Sequence, residues 1–436
     1  MNGTSKDPCE LSATQAARLI ASRKLSALEL IQACLERIRG RDSTVRAWTL
    51  IDRKKALAQA RECDEALTKP ETRPGPLFGV PVGVKDIIDT SGLITSYGSP
   101  IYRNHLPRRN AAAVARMIGA GAIELGKTVA TEFAYRKPGK TANPHNPLHT
   151  PGGSSSGSAA AVADFQVPLA IGTQTSGSVI RPAAYCGVVG FKPSHGAIER
   201  TGVRPLAASL DTVGLFARDV ADLRLLFDAV RVPREQSPQP EAHLPPRLGH
   251  CRTPHWTAAE SGTRQAMERA AARLADAGAE VTVFELPPEF IPLNEAHAVI
   301  MAVDAARTFA EEMESHHILL SRPLRDLIER GQSVDHARDI IARTLSAACR
   351  ERFDRILAPL DALIVPAAPG EAPPGLGGTG DPVFNKMWTL LHLPCISLPA
   401  GRGRGDLPLA IQLVANRGRD DRLLQIAAWA EGRIAG

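Results

Sequence analysis

Strand patterns and helix patterns alternate along most of this chain, and this order limits its fold more than any other feature. In FGVPVGVKD, residues 78–86, valines alternate with proline, glycine and lysine, which predicts a strand that ends at Lys85. A helix is predicted next, with Asn110 as its N-cap and its end near Gly119, and AIELGK then predicts a second strand. Strand, helix and strand in succession favour an α/β fold built on a sheet.

The N-terminal segment predicts two consecutive amphipathic helices over residues 11–40. Apolar residues recur there at helical spacing, and Gly40 is expected to end the second helix. We expect residues 11–60 to form a helical layer that covers a core or a second subunit. Each of the two helices begins at a capping box, in which a serine side chain bonds to the backbone three residues further on: Ser12 with Gln15, and Ser26 with Glu29.

The alternation continues to the end of the chain. A length of 436 residues allows two or three domains or one large α/β unit. Residues 365–382 are dense in proline and glycine, which predicts a loop, and we expect it to border the substrate entrance. Further strands are predicted over 167–172, 280–286 and 407–415, and further helices near Ser178 and over 263–278 and 420–432.

Composition and charge argue against several classes of protein. Hydrophobic residues make up 44% of the chain and charged residues 22%, as in ordinary soluble globular proteins. Aromatic residues make up only 4%, and the net charge of +6 is spread without a dense basic block, so no nucleic-acid partner is expected. The N-terminus has no basic segment followed by an apolar run, and no later stretch offers about 20 uninterrupted apolar residues. We therefore expect a cytoplasmic protein that does not bind a membrane.

Metal, disulfide and organic-cofactor sites are not indicated by the sequence. The seven cysteines are widely spaced without a C-x-x-C pair, and the twelve histidines include no H-E-x-x-H motif. His316 and His317 are predicted to face solvent, and Cys186 is interpreted as a small buried apolar residue. The glycines of residues 375–380 match a dinucleotide-binding pattern, but no strand leads directly into them, so they predict a loop. We expect no metal and no cofactor.

The segment PGGSSSGSAA, residues 151–160, has the composition of a flexible linker. Helix and strand patterns follow it at once, so we place it inside a domain. Its residues 153–157 also match G-x-S-x-G, the nucleophile elbow of α/β-hydrolases, with Ser155 as the nucleophile. That elbow needs an apolar strand before it, whereas TANPHNPLHTP precedes it here, so the elbow interpretation is the weaker one.

Lys85 and the loop over residues 172–187 indicate what chemistry is available. A serine hydroxyl needs a base to become a nucleophile, and a lysine can serve if burial keeps it neutral. The loop GTQTSGS follows an apolar strand and precedes a helix, so its N–H groups can converge on one point and stabilise an oxyanion. The structural alternative is an ordinary turn whose serine caps the helix. The residues alone leave both interpretations open.

Taken together, these segments resemble the amidase signature family, whose Gly/Ser-rich core corresponds here to residues 77–196. The resemblance covers most of the chain and implies a single α/β domain over residues 1–436, with a central mixed β-sheet covered by helices on both sides. With the apolar N-terminal helices, it also implies a homodimer. The matching flanks occur in order as TEFAY (131–135), NPHNP (143–147), CGVVGFKPS (186–194), FNKMWTLLHLPCISLPAG (384–401) and IQLVANRGRDD (411–421).

The resemblance implies a Ser–Ser–Lys triad. The nucleophile falls on Ser178, the lysine on Lys85, and the bridging serine, which a cis peptide bond holds in the family, on Ser154. The spacing of the two serines, 178 − 154 = 24 residues, matches the family arrangement. The family's oxyanion hole corresponds to the backbone N–H groups of Thr175, Ser176, Gly177 and Ser178.

Around the triad, the resemblance identifies supporting or substrate-pocket residues and three departures from the family pattern. Gln174 stands where many relatives have aspartate, Ser176 where many have glycine, and Arg181 one position later than the usual arginine. These departures bear on the shape of the acyl pocket, and hence on the substrate, but not on the triad. The expected supporting or pocket residues are Ser155, Gln174, Tyr135 and Trp388.

The activity that the resemblance implies is hydrolysis of a carboxamide C–N bond in a small molecule, through a serine acyl-enzyme, with release of ammonia or an amine. One alternative is the A-type subunit of a tRNA-dependent amidotransferase, a glutaminase within a complex. Another is a non-catalytic ligand-binding relative, against which the intact Lys85, Ser154 and Ser178 argue. The sequence does not identify the acyl group, the leaving amine or the pathway.

Overall fold

The computed structural model describes residues 7–233 and 245–434. Eleven strands are present in this part of the chain: β1 (Trp48–Ile51), β2 (Pro81–Lys85), β3 (Ile123–Thr128), β4 (Leu169–Gln174), β5 (Val189–Lys192), β6 (Thr212–Ala217), β7 (Arg247–His250), β8 (Glu280–Val283), β9 (Ala362–Pro366), β10 (Cys395–Arg402) and β11 (Pro408–Val414). The α-helices are α1 (Ala13–Ala21), α2 (Ala27–Val45), α3 (Arg53–Ala66), α4 (Ala112–Gly119), α5 (Ser156–Ala163), α6 (Ile180–Cys186), α7 (Val220–Val230), α8 (Ser261–Asp276), α9 (Leu293–Thr308), α10 (Ala310–Ser315), α11 (Arg322–Ser333), α12 (His336–Ile356), α13 (Lys386–Leu390) and α14 (Asp420–Ile434).

All eleven strands belong to one mixed sheet, in the order β1-β3-β2-β4-β6-β5-β10-β11-β9-β7-β8. Strand β2 is parallel to both of its neighbours, β3 and β4, and β7 is parallel to β8 and β9. The remaining pairs are antiparallel. The predicted single α/β domain with a large mixed sheet between helices is confirmed.

Strand β2 shows how the sheet divides its two faces. Its valines belong to a core that also contains residues of α4, α7 and α14. Gly83 faces the opposite side, where a methyl group would lie 2.9 Å from Thr128 Cγ2 and 3.3 Å from the ring of Trp48. Because side chains alternate along a strand, Lys85 lies on the same face as Gly83. That face is covered by α2 and α5, whose alanines and leucines form a second core with Trp48.

Several boundaries differ from the sequence-based expectations. Helix α2 continues past Gly40 to Val45: a methyl group at that position would meet nothing within 4 Å, and a glycine inside a helix weakens the helix without necessarily ending it. Residues 48–51, expected within a helical layer, form strand β1 at the edge of the sheet. Asn110 does not cap α4: the N-cap is Ala111, and the Asn110 side chain instead accepts a hydrogen bond from Ser91 N. The predicted strand over 280–286 ends at Val283.

Both predicted capping boxes are present at the start of α1 and α2. Residues 365 and 366 belong to β9, so the Pro/Gly-rich loop begins after them. His316 and His317 are exposed and Cys186 is buried, as expected. None of the described helices has the length and apolar character that crossing a bilayer requires.

Candidate active site

Lys85 ends β2 inside the protein, where its side chain is fully buried. Its Nζ donates to Ser154 Oγ at 2.7 Å and to Thr173 Oγ1 at 2.8 Å, and lies 3.5 Å from Thr173 O. Burial lowers the pKa of Lys85 well below its usual value, and the negative charge of Asp211 opposes this shift. Burial therefore favours the neutral form of an amine whose hydrogen-bond partners are the hydroxyl groups of Ser154 and Thr173.

Ser154 and Ser155 lie just before α5 but face different surroundings. The peptide bond between Gly153 and Ser154 is cis. Ser155 is fully buried; its Oγ donates to Thr173 O at 3.1 Å and accepts from Thr173 N at 3.3 Å. Ser155 thus holds the end of β4, which also carries the Thr173 hydroxyl that contacts Lys85. Its bonds to the backbone leave it in a supporting position and not in that of the elbow nucleophile.

Ser178 lies in the turn between β4 and α6, and Gln174 fixes that turn. The Gln174 Oε1 accepts hydrogen bonds from Val179 N at 2.8 Å and Ile180 N at 3.1 Å. Its Nε2 donates to Thr389 Oγ1 at 3.0 Å. An amide side chain therefore satisfies the first N–H groups of a short helix, which have no partner within the helix itself. Gln174 thus fixes the backbone directly after Ser178.

The four backbone N–H groups of residues 175–178 have no hydrogen-bond acceptor among the described residues. The loop that carries them is instead held through its side chains and carbonyls. Thr175 Oγ1 donates to Asp211 Oδ1, and the other carboxylate oxygen of Asp211 accepts from Leu206 N and Ala207 N. Burial raises the pKa of Asp211 to about 6, and the Thr175 hydroxyl opposes this shift. Free N–H groups on a fixed loop are what an oxyanion hole requires.

A buried histidine contacts the same loop from α9. The Nε2 of His297 lies 2.8 Å from Thr175 O and 3.3 Å from Ser176 Oγ. Burial lowers the pKa of His297 to about 4, so the ring is neutral at neutral pH. Sequence reasoning missed both His297 and Asp211, because neither stands in a motif and each reaches the loop from a distant part of the chain.

Ser154 and Ser178 line one cavity of about 690 Å³. Tyr135, Arg181 and loop residues 377–382 form other parts of its wall. Trp388 is not among the residues that line it: the ring packs in the core at 5.8 Å from that of Phe353, and a supporting role for Trp388 stays a prediction. Its neighbour Thr389 approaches the site instead, by donating to Ser176 O at 2.9 Å. Helix α13 turns Trp388 inward because a large apolar ring is stabilised by burial.

No cluster of three or more metal-binding side chains occurs in residues 7–233 and 245–434. The cysteines are all free thiols, and six of the seven are buried. Burial raises the pKa of the Cys395 thiol to about 11 and that of the Cys251 thiol to about 12. Both thiols are therefore protonated at neutral pH, and no cysteine is among the described residues that line the cavity.

Similarity to known proteins identifies the family of this chain. Residues 29–424 match the amidase family. The A-type subunit of the glutamyl-tRNA(Gln) amidotransferase from Symbiobacterium thermophilum is 32% identical, over 97% of this chain and 96% of the relative. The peptide amidase from Stenotrophomonas maltophilia, a solved structure, has 28% identity and a TM-score of 0.84, covering 98% of this chain and 97% of its own. Another solved structure, of a vestigial protein complex that reveals the evolutionary origins of an s-triazine catabolic enzyme, has 28% identity and a TM-score of 0.89, covering 98% of this chain and 99% of its own. The chain belongs to the amidase signature family.

Proposed function

We propose that this protein hydrolyses a carboxamide C–N bond of a small molecule, with Ser178 as nucleophile, Ser154 as proton relay and Lys85 as base. The observation that carries this proposal is the 2.7 Å contact between Lys85 Nζ and Ser154 Oγ, made at the wall of the cavity that Ser178 also lines. Neither a histidine nor a metal is needed for this chemistry, since a neutral amine can accept the proton.

The reaction proceeds in two halves. Ser178 Oγ attacks the carbonyl carbon, and its proton passes through Ser154 to Lys85 Nζ. The N–H groups of residues 175–178 stabilise the oxyanion, and the C–N bond then breaks as the leaving nitrogen takes a proton back through Ser154. Water attacks the acyl-enzyme ester in the same way, which releases the acid and restores Ser178.

The state of Lys85 decides whether this mechanism is efficient. A lysine with an ordinary pKa of about 10.4 is neutral in roughly one molecule in 250 at pH 8. The complete burial of Lys85 lowers its pKa and so increases the neutral fraction. The hydroxyl of Thr173 accepts one N–H of the amine and so holds Nζ beside Ser154 Oγ.

The second candidate function is that of the A-type component of a tRNA-dependent amidotransferase. Sequence similarity favours it: curated relatives at 30–32% identity are the A-type components of glutamyl-tRNA(Gln) amidotransferases. In that case the same site would release ammonia from glutamine for a partner protein. The two functions share the attack by Ser178 and differ in the substrate and in the need for a complex.

The shared chemistry is tested by labelling with a neutral fluorophosphonate followed by peptide mapping. We expect the probe on Ser178, no labelling of a folded Ser178→Ala variant, and unchanged labelling of a variant at the exposed Ser333. Probe on Ser155 would support the elbow interpretation instead. A folded protein that takes no probe would indicate a non-catalytic ligand-binding relative.

The two functions are separated by substrate and partner. We expect the purified chain alone to release ammonia or an amine from at least one member of a panel of amides, ureas and carbamates. Glutaminase activity that appears only when a co-purified partner is present would establish the amidotransferase function. The mass of the purified particle in the same preparation distinguishes a monomer, the expected homodimer and a mixed complex.

A further inference from the structure

The exposed residues of helix α12 between Arg338 and Glu351 carry no charge over about three turns. These residues, which we call the outer face, are Ile340, Ile341, Thr344, Ala347 and Ala348. The two isoleucines are 49% and 66% exposed. A helix at a protein surface ordinarily turns its charged residues toward water, so this face has the composition of one that packs against a further surface.

The charged residues of the same stretch are bound within the chain. Asp339 is buried, and its Oδ1 accepts a hydrogen bond from Arg343 Nε at 2.8 Å. Arg343 Nη2 donates to Asp304 Oδ1, on α9, at 2.7 Å. Arg350 Nη2 donates to Leu390 O at 2.9 Å. The remainder of α12 thus satisfies these charges against its own chain, whereas the outer face is left to the solvent.

Helix α8, another surface helix, shows the usual arrangement. Its exposed residues include three charged ones, Arg264, Glu268 and Arg269. Its buried residues include Ala270 and Leu274, on the side that packs against the sheet. The two helices have similar lengths, 16 residues in α8 and 21 in α12. A position at the surface therefore does not by itself account for the uncharged outer face of α12.

Charges at the two ends of the outer face favour an antiparallel orientation for a second helix of the same sequence. Glu351 and Arg355 are exposed, and neither forms an ion pair within the described residues. When two copies of α12 lie antiparallel, Glu351 of one copy stands opposite Arg338 of the other. The same register places Arg355 opposite Asp335 to within one residue. A parallel pair would instead bring Glu351 of one copy beside Glu351 of the other, and like charges repel.

The same register also fits the sizes of the side chains. It places Ile341 of each copy opposite Ala348 of the other, so a large side chain meets a small one. Two helices pack closely when large and small residues alternate across the contact. We propose that a second copy of this chain binds the outer face, with the two α12 helices antiparallel about a twofold axis near Thr344. This interface does not depend on the proposed activity.

A homodimer formed through the N-terminal helices, which the sequence implies, is less favoured. Leu30, Ile31 and Leu35 of α2 are buried in a core within the chain and offer no surface to a second copy. The outer face of α12 spans about 18 Å, at about 1.5 Å per residue over residues 339–350. An interface centred on one such helix pair is small, so we expect a dimer that dissociates in the micromolar range of concentration.

Sedimentation velocity of the full chain, at protein concentrations from low to high micromolar, tests the dimer. We expect the unmodified protein to change from monomer to dimer over this range. Ile341→Glu places a charge in the outer face and should remain a monomer. Ile318→Glu, at an isoleucine that is 89% exposed elsewhere on the surface, is the matched control and should dimerise normally. A monomer at every concentration, or a dimer that Ile341→Glu leaves unchanged, would overturn the proposal.

Charge exchange and cross-linking test the orientation, and the cross-link still decides if Ile341→Glu fails to fold. Glu351→Arg and Arg338→Glu should each weaken the dimer by about tenfold, because each places like charges opposite each other, and the double variant should restore it. Thr344→Cys should form a disulfide between two copies under a mild oxidant, whereas Ala272→Cys, at an exposed position of α8, should not. Failure of the double variant to restore the dimer, or no cross-link in Thr344→Cys, would contradict the antiparallel register.

Discussion

The amine of Lys85 lies 2.7 Å from the hydroxyl of Ser154, although 69 residues separate the two in the chain. The other contacts of Nζ are the hydroxyl and carbonyl of Thr173, so no carboxylate bonds to the amine directly. An ammonium group in this position would lose its hydration and gain no ion pair. The geometry thus favours the neutral amine, which is the form that a general base requires.

We expect kcat/KM to rise with pH through a group that titrates well below the ordinary pKa of lysine. Lys85→Ala should remove this ascending limb together with most activity, a loss of about 100-fold or more. Lys85→Arg should not restore it, because a guanidinium stays protonated at any relevant pH. Initial rates from pH 6 to 10 provide the measurement, with the exposed Lys69→Ala as control. Near-normal turnover by Lys85→Arg, with the same pH profile, would exclude lysine as the base.

Replacement of Lys85 by methionine should raise the free energy of unfolding, and this increase should become smaller as pH rises. Burial lowers the pKa of Lys85 in the folded state, so the unfolded chain binds more protons between the folded value and about 10.5. In that pH window, the destabilisation of the folded state by the buried lysine falls by about 1.4 kcal/mol per pH unit. Urea denaturation of both proteins at pH 7, 8 and 9 checks this, with Lys69→Met as control. A difference in the free energy of unfolding that does not change with pH would show that the pKa of Lys85 is not lowered.

Gly177→Ala should damage the oxyanion hole while leaving most of the fold intact. A methyl group there would lie 2.4 Å from Asn385 Oδ1 and 2.8 Å from Pro382 Cβ, so the loop must move. A displacement of about 1 Å at a reacting group costs roughly 100-fold in rate. We expect a loss of that order in kcat and in the rate of fluorophosphonate labelling. Gly40→Ala is the matched control, since nothing lies within 4 Å of that position. Unchanged kcat in Gly177→Ala would place the oxyanion hole elsewhere.

His297 should act as a positioning residue for the oxyanion loop. A carbonyl oxygen only accepts hydrogen bonds, so the contact with Thr175 O requires the proton on Nε2. His297→Phe removes this donor and should lower kcat more than it changes KM, whereas His297→Gln keeps a donor and should recover part of the loss. Because its pKa is lowered to about 4, His297 should add no step to the pH profile above pH 6. The exposed His336→Phe serves as control; a parallel fall of stability and activity in both His297 variants would indicate a structural role only.

Local patterns in the sequence determined several elements of the fold and the residue types of the site. The alternation of small and apolar residues in β2 predicts a strand that ends at Lys85, and the strand ends there. Both capping boxes form as predicted, because their bonds join residues only three positions apart. The predicted loop between β4 and α6 is also present, with Ser178 in it. Such features depend on neighbours in the chain, which the sequence lists directly.

Only the tertiary structure decided how far Lys85 is buried, what holds the loop of residues 175–178, and which side chains line the cavity. Thr175 contacts Asp211, which lies directly before β6, and His297, which lies on α9. No sequence motif predicts either contact. Trp388 lies in a segment that resembles the family, yet it packs into the core, while Arg181 stands in the cavity wall without a counter-charge. These outcomes follow from the order of strands in the sheet and from the competition of side chains for buried volume. The strand order brings together residues that are far apart in the chain, and no local sequence pattern predicts such long-range contacts.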